Sequence, residues 1–149
     1  MGRIVGIDFG TVRIGLAISD EMRIIAQSLE TIKAAKDPSQ TVKIIAQALS
    51  CYKKIDTIVI GNPLLLNGKE GEMSLLVRAF AKILEQELAL PLIFWDERLT
   101  SSGVEKILID SGISRRKRAD LTDALSAVSI LQNYLDSLRL NSGSYGSLP

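Results

Sequence analysis

Apolar positions at Ile4, Val5 and Ile7 open the chain, and a single acid, Asp8, interrupts them before Gly10. The β-branched bulk over residues 3–9 predicts a strand, the alternating bulk over 14–19 a second, and 24–32 a third. Links this short make an antiparallel meander. The period then changes. After Asp37-Pro38-Ser39, residues Val42, Ile45, Ala48, Leu49 and Tyr52 share one helical face, with Pro38 suited to a first turn. Residues 57–60 read as a short apolar strand ending at Gly61-Asn62-Pro63. Met73, Leu76, Val77, Phe80, Ile83, Leu84 and Leu88 repeat at helical spacing until Pro91 breaks the pattern. A fifth strand is predicted over 92–95, a helix over 100–111 stopped by Gly112, and the longest helix over 119–138. The order βββαβαβαα predicts an α/β domain: a mixed five-stranded sheet flanked by helices over residues 1–139, then a flexible tail over 140–149.

Composition narrows the chemistry. The 149 residues include no histidine and one cysteine, Cys51. That removes His-based triads and zinc sites, Cys-His catalysis and any internal disulfide, and Cys51 reads as a buried structural thiol. No apolar run reaches the roughly 20 residues that cross a bilayer, and no secretory signal is visible, so the cytoplasm and no membrane are the expectation. The net charge of +1 neither demands nor forbids nucleic acid. The run Arg115, Arg116, Lys117 and Arg118 is more pointed, because clustered cations neutralise phosphates; a solvated loop is the alternative.

With histidine absent, carboxylates carry the candidate chemistry. A lone acid in a buried strand is costly unless a hydrogen-bond network or a metal ion compensates it, so Asp8 is a candidate site residue. Asp96-Glu97-Arg98 directly follow the fifth strand, and ligands gather outside the carboxyl ends of parallel strands. On a helical wheel, Thr122, Ser126, Ser129, Asn133 and Ser137 make a polar face, whereas Asp123 shares the stripe of Ala127, Ile130 and Tyr134, with Asp120 beside it. Asp120 is a helix cap on one reading and a ligand on the other. Converging carboxylates repel unless a cation joins them, and oxygen donors select Mg²⁺ or Mn²⁺. Two such ions roughly 4 Å apart can activate water and stabilise the leaving oxygen in attack on phosphorus.

Three segments, GIDFGTVRIGLAISD from Gly6, DERLTS from Asp96 and DALSAVSILQ from Asp123, closely resemble the YqgF family. The match runs over nearly the whole chain to about Leu138. Members of that family are described as pre-16S rRNA nucleases or, alternatively, Holliday junction resolvases. The resemblance implies a ribonuclease-H-like fold and a metal-dependent nuclease using Mg²⁺ or Mn²⁺, with Asp8, Glu97 and Asp123 as its acidic site. Asp120-x-x-Asp123 also resembles the paired C-terminal aspartates of better-characterised junction resolvases, placing Asp8, Glu97, Asp120 and Asp123 as metal ligands. Two positions depart from the family pattern: Asn67 stands where an acid is common, and Ser126 replaces a frequent alanine.

Around the acids, Arg13, Lys69, Arg98, Arg115, Arg116, Lys117 and Arg118 are candidate nucleic-acid contacts. Arg13 could instead pair with Asp20, and Arg98 could orient Glu97. Thr100 and Ser101 could bind phosphate or cap a helix, Gly61, Gly68 and Gly71 suit a mobile loop or simple turn geometry, and Trp95 reads as core. Structured RNA is the favoured partner, branched DNA the alternative, and a homodimer is compatible with both. GIDFGT also resembles the first phosphate loop of actin-like ATPases and sugar kinases, but the chain lacks the length for their second domain. A non-catalytic nucleic-acid-binding module is the third reading.

Overall fold

The computed structural model describes residues 2–99 and 115–146, the backbone alone being described at 99 and over 115–124 and 141–146. Five strands form: β1 (Arg3–Asp8), β2 (Arg13–Ser19), β3 (Ala26–Lys33), β4 (Ile55–Asn62) and β5 (Leu92–Asp96). They line up as β3-β2-β1-β4-β5. The first three are antiparallel neighbours, and β4 and β5 join β1 in parallel, which confirms the mixed sheet. Three helices are described: α1 (Pro38–Leu49), α2 (Glu72–Leu88) and α3 (Arg115–Gly146).

The sheet separates two apolar layers. Val5, Ile7, Ile14, Leu16, Ile58 and Ile60 face one side, where Val42 and Ile45 of α1 and Val77, Phe80 and Leu84 of α2 cover them. Ile4, Ala17 and Val59 face the other, under Ala127, Ile130, Leu131 and Leu135 of α3. Strand alternation explains the split, since successive side chains point to opposite faces. The close approach of α3 needs Gly6 in β1: a Cβ there would lie 2.7 Å from the Leu131 Cβ and 3.1 Å from the Ala127 carbonyl.

Local signals set most boundaries. The Asp37 carboxylate accepts the Ser39 N–H at 3.0 Å, with Pro38 in the first turn of α1. Ala89 takes a left-handed conformation after α2, and Pro91 follows. Other expectations need correction. β3 starts at Ala26 because the Asp20 carboxylate accepts the N–H groups of Ile24 and Ile25 at 2.7 and 3.1 Å, holding both in a turn. Tyr52 lies beyond α1, which ends at Leu49. Cys51, just after that helix, is exposed, so the buried-thiol expectation fails. The last helix extends past both predicted ends of 119–138, its backbone being helical over Arg115–Gly146. Serine and asparagine disfavour helix only weakly, so an existing helix can propagate through them. The helix predicted over 100–111 lies outside the described residues. No described helix is long and apolar enough to cross a membrane.

Candidate active site

Ile7 pairs with Ile60, Gly61 with Trp95 and Asn62 with Asp96. Asp8, Gly61 and the Asp96-Glu97 pair therefore gather at the carboxyl ends of three adjacent parallel strands. Alternation puts Asp8 and Gly61 on the face covered by α3. β1 and β5 lie two strand spacings apart, about 10 Å, with β4 between them. Gly61 is the reason their acids meet. A Cβ there would sit 2.5 Å from Glu97 Oε1, 2.9 Å from its Cγ and 2.6 Å from Ile130 Cδ1. The Glu97 side chain lies across the bare backbone of β4 and hydrogen-bonds with Asp8.

Two carboxyls in hydrogen-bond contact need a shared proton or a cation. Burial pushes the Glu97 carboxyl above its ordinary range. The hydrogen bond with Asp8 opposes that rise, and the nearby Asp96 charge adds to it. Asp96, one residue earlier, is held the opposite way. Arg98 forks onto it, with Nε 3.0 Å from both oxygens and Nη2 2.7 Å from Oδ2, and this guanidinium keeps the Asp96 carboxyl below its usual range. Arg98 thus grips Asp96 and not the adjacent Glu97. Its Nη1 also donates to the Leu66 carbonyl at 3.3 Å, tying the strand end to the loop after β4.

That loop closes as a tight turn. Gly68 N–H reaches the Leu65 carbonyl at 2.8 Å, Leu65 N–H reaches the Lys69 carbonyl at 2.9 Å, and Gly68 has φ of +84°. Asn67, the departure from the family's acid, accepts the Lys69 N–H at 2.9 Å and so builds the turn. Lys69 is exposed beside it. Arg13 begins β2, half-buried. Its alternative partner, Asp20, follows the far end of that strand and is engaged by Ile24 and Ile25. Trp95 is partly buried, edge-on to Tyr134, and its Nε1 has no partner among the described residues.

The N-terminal turns of α3 run toward the same edge. Gln132 bonds the Ile24 carbonyl and the Ala26 N–H, level with the start of β1, while Ala127 and Leu131 lie on Gly6, further along. Asp123 is one turn before Ala127 on that stripe. The side chains of Asp120, Asp123, Arg115, Arg116, Lys117 and Arg118 lie outside the described residues, as do Thr100 and Ser101 entirely. Among the described residues no group of three acids, cysteines or histidines forms a ready metal cage. The Asp8–Glu97 pair nonetheless fits a hard divalent cation, since it offers carboxylate oxygens side by side. Sequence reasoning missed Gly61 as the gap that lets Glu97 cross; its one signal was a glycine ending an apolar strand.

A family model described as RuvX: Holliday junction resolvase matches residues 2–137. A Bacillus subtilis (strain 168) protein named "Putative pre-16S rRNA nuclease" is 43% identical over 137 residues, covering 91% of this chain and 99% of that protein. A protein of the same name from Protochlamydia amoebophila (strain UWE25) is 46% identical over 140 residues, covering 91% and 93%. Among solved structures, the fowlpox virus Holliday junction resolvase superposes with a TM-score of 0.56 at 17% identity, covering 91% of this chain and 99% of that one. Thermus thermophilus RuvC in complex with a Holliday junction substrate gives 0.55 at 17%, covering 93% and 96%. Those two likenesses are of fold, and they agree with the ribonuclease-H-like architecture predicted from the sequence. By the family match over nearly its whole length and by its close relatives, the chain belongs to the RuvX family.

Proposed function

We propose that this protein is a metal-dependent nuclease that processes the 5′ end of pre-16S rRNA in the cytoplasm. The observation that carries the reading is the Asp8–Glu97 carboxyl pair, brought together over Gly61 at the carboxyl edge of the sheet. The names of the relatives favour RNA. Branched DNA is the second reading, favoured by the family description and by the junction-bound neighbour.

Asp8 and Glu97 would hold Mg²⁺ or Mn²⁺, with Asp123 and Asp120 as further ligands from α3. A divalent cation supplies Lewis acidity toward a phosphodiester and water activation near neutral pH. The chain's own part is to fix the acids. Gly61 and Ile130 confine the Glu97 side chain, and the Arg98 fork keeps Asp96 ionised and turned toward the loop. Lys69 on that loop, Arg13 on β2, Arg98 and the cations Arg115, Arg116, Lys117 and Arg118 supply contacts for phosphates around the cleaved bond.

The test offers a precursor rRNA fragment and a four-way DNA junction side by side, with and without Mg²⁺ or Mn²⁺. Metal-dependent cleavage of the RNA alone is expected. Cleavage of the junction alone selects the second reading. Binding without cleavage of either, unchanged in Asp8→Asn, identifies a non-catalytic module.

A further inference from the structure

We propose that Lys33, on the edge strand β3, is a phosphate-binding residue that guides nucleic acid across that edge to the acidic pair. The inference rests on the nucleic-acid reading above but concerns a residue outside the acidic cluster. Its basis is the register of the sheet. Lys33 is directly opposite Arg13, and Asp8 is directly opposite Gly15. Ile14 and Ile32, the next pair inward, belong to the core on the α1 and α2 side. Alternation therefore turns Arg13 and Lys33 to the other face, which is also the face of Asp8 and Gly61. From β3 to β5 one edge of one face reads Lys33, Arg13, Asp8, Gly61, Glu97: two cations leading to two acids.

Distances suit one ligand spanning the row. Lys33 lies two strands from β1 and two residues beyond the level of Asp8, about 12 Å away between backbones. That is three to four steps of one duplex strand at about 3.4 Å each. Like charges directly opposite one another do not stabilise a sheet, so a structural account of Lys33 beside Arg13 is weak. Lysine on an edge strand can also block unwanted strand pairing. That role predicts a change in oligomeric state on substitution, not a change in salt dependence. Cations at the other end of the sheet have acids to answer: Arg23 pairs with Asp56 and Arg3 with Glu21. Exposed Lys33 has no such partner among the described residues.

The test is binding of fluorescent RNA hairpin and four-way DNA junction probes in EDTA across a salt series. Lys33→Gln should reduce the slope of log affinity against log salt by about 0.9. Lys33→Glu should weaken binding about tenfold more than Lys53→Glu, which makes the same charge change at the opposite end of the sheet. Both Lys33 variants should melt as the wild type does, and in Mg²⁺ their binding loss should appear as a raised KM. Equal effects of Lys33→Glu and Lys53→Glu would overturn the assignment, as would an unchanged slope in Lys33→Gln or a new dimer in place of a binding loss. Loss of binding specific to Lys33 in a protein that never cleaves would support the assignment while overturning the nuclease reading.

Discussion

Where β1 begins, Arg23 donates to the Gly2 carbonyl at 2.8 Å and pairs with Asp56, whose carboxylate also accepts the Gly2 N–H at 3.2 Å. Where β1 ends, Asp8 and Glu97 hydrogen-bond with each other, and the Arg98 guanidinium turns to Asp96. The carboxyls respond accordingly. Backbone N–H groups of Ile25 and Ile24 hold Asp20, at the first end, below its usual range. Burial holds Glu97, at the second, above it. One end of the sheet uses its charges to hold the chain together. The other brings two acids into hydrogen-bond contact, which is the arrangement a cation-dependent site requires.

The largest break in this contrast comes from removing charge at the acidic end. Asp8→Asn and Glu97→Gln should each lower cleavage by at least about 100-fold, with melting temperature unchanged or raised because a like-charge contact is gone. Asp123→Asn should do the same to activity if α3 completes the site. Full activity in any one of them removes that residue from the mechanism. Millimolar Mn²⁺ should raise the melting temperature of the wild type and not of Asp8→Asn, as expected when a ligand binds only the folded state.

Gly61→Ala comes next. Its Cβ must displace Glu97 or Ile130, at a cost of about 1–3 kcal/mol, and should cut activity with no carboxylate removed. Wild-type activity and stability in this variant would mean that Glu97 does not cross β4.

The two ends should also differ in sign with pH. Glu97 has a folded-state pKa above its unfolded value, so its contribution to stability is complete below that unfolded value, near 4.5, and is lost as pH rises through the folded one. Asp20 runs the other way: its contribution is complete above an unfolded value near 3.8 and is lost as pH falls through the folded one. Urea midpoints in EDTA should therefore shift in favour of Glu97→Gln over the wild type as pH rises from about 4 to about 8. Asp20→Asn should lose its disadvantage as the pH drops below about 4. A constant gap for Glu97→Gln would contradict the burial of that carboxyl. The smallest effect belongs to Arg23→Ala. Breaking this part-exposed pair should cost about 1 kcal/mol or less and leave cleavage untouched.

Much of this was legible beforehand because it is local. Hydrophobic period separated strands from helices, Pro38 and Asp37 marked the start of α1, and Asp8 stood out as an acid in an apolar strand. The errors have local competitors. Ile24 and Ile25 have strand propensity, yet the Asp20 carboxylate captures their N–H groups first. Arg98 adjoins Glu97 in sequence, but past the end of β5 the chain enters a short 3₁₀ turn over Glu97–Leu99, where the Arg98 N–H and guanidinium both reach back to the Asp96 carboxylate. Cys51 looked like core from residue type alone, whereas its place after the last turn of α1 leaves it in solvent.

By itself the sequence determined the order and type of the elements, which stripe of each helix is apolar, and which functional groups were available once histidine was absent. Those properties depend on residues a few positions apart. Only the tertiary structure decided that Glu97 reaches Asp8 across a strand with no side chain at Gly61, and that Lys33 and Arg13 share their edge and face. Such meetings depend on register between segments distant in the chain, and a one-residue slip would turn every one of those side chains to the opposite face.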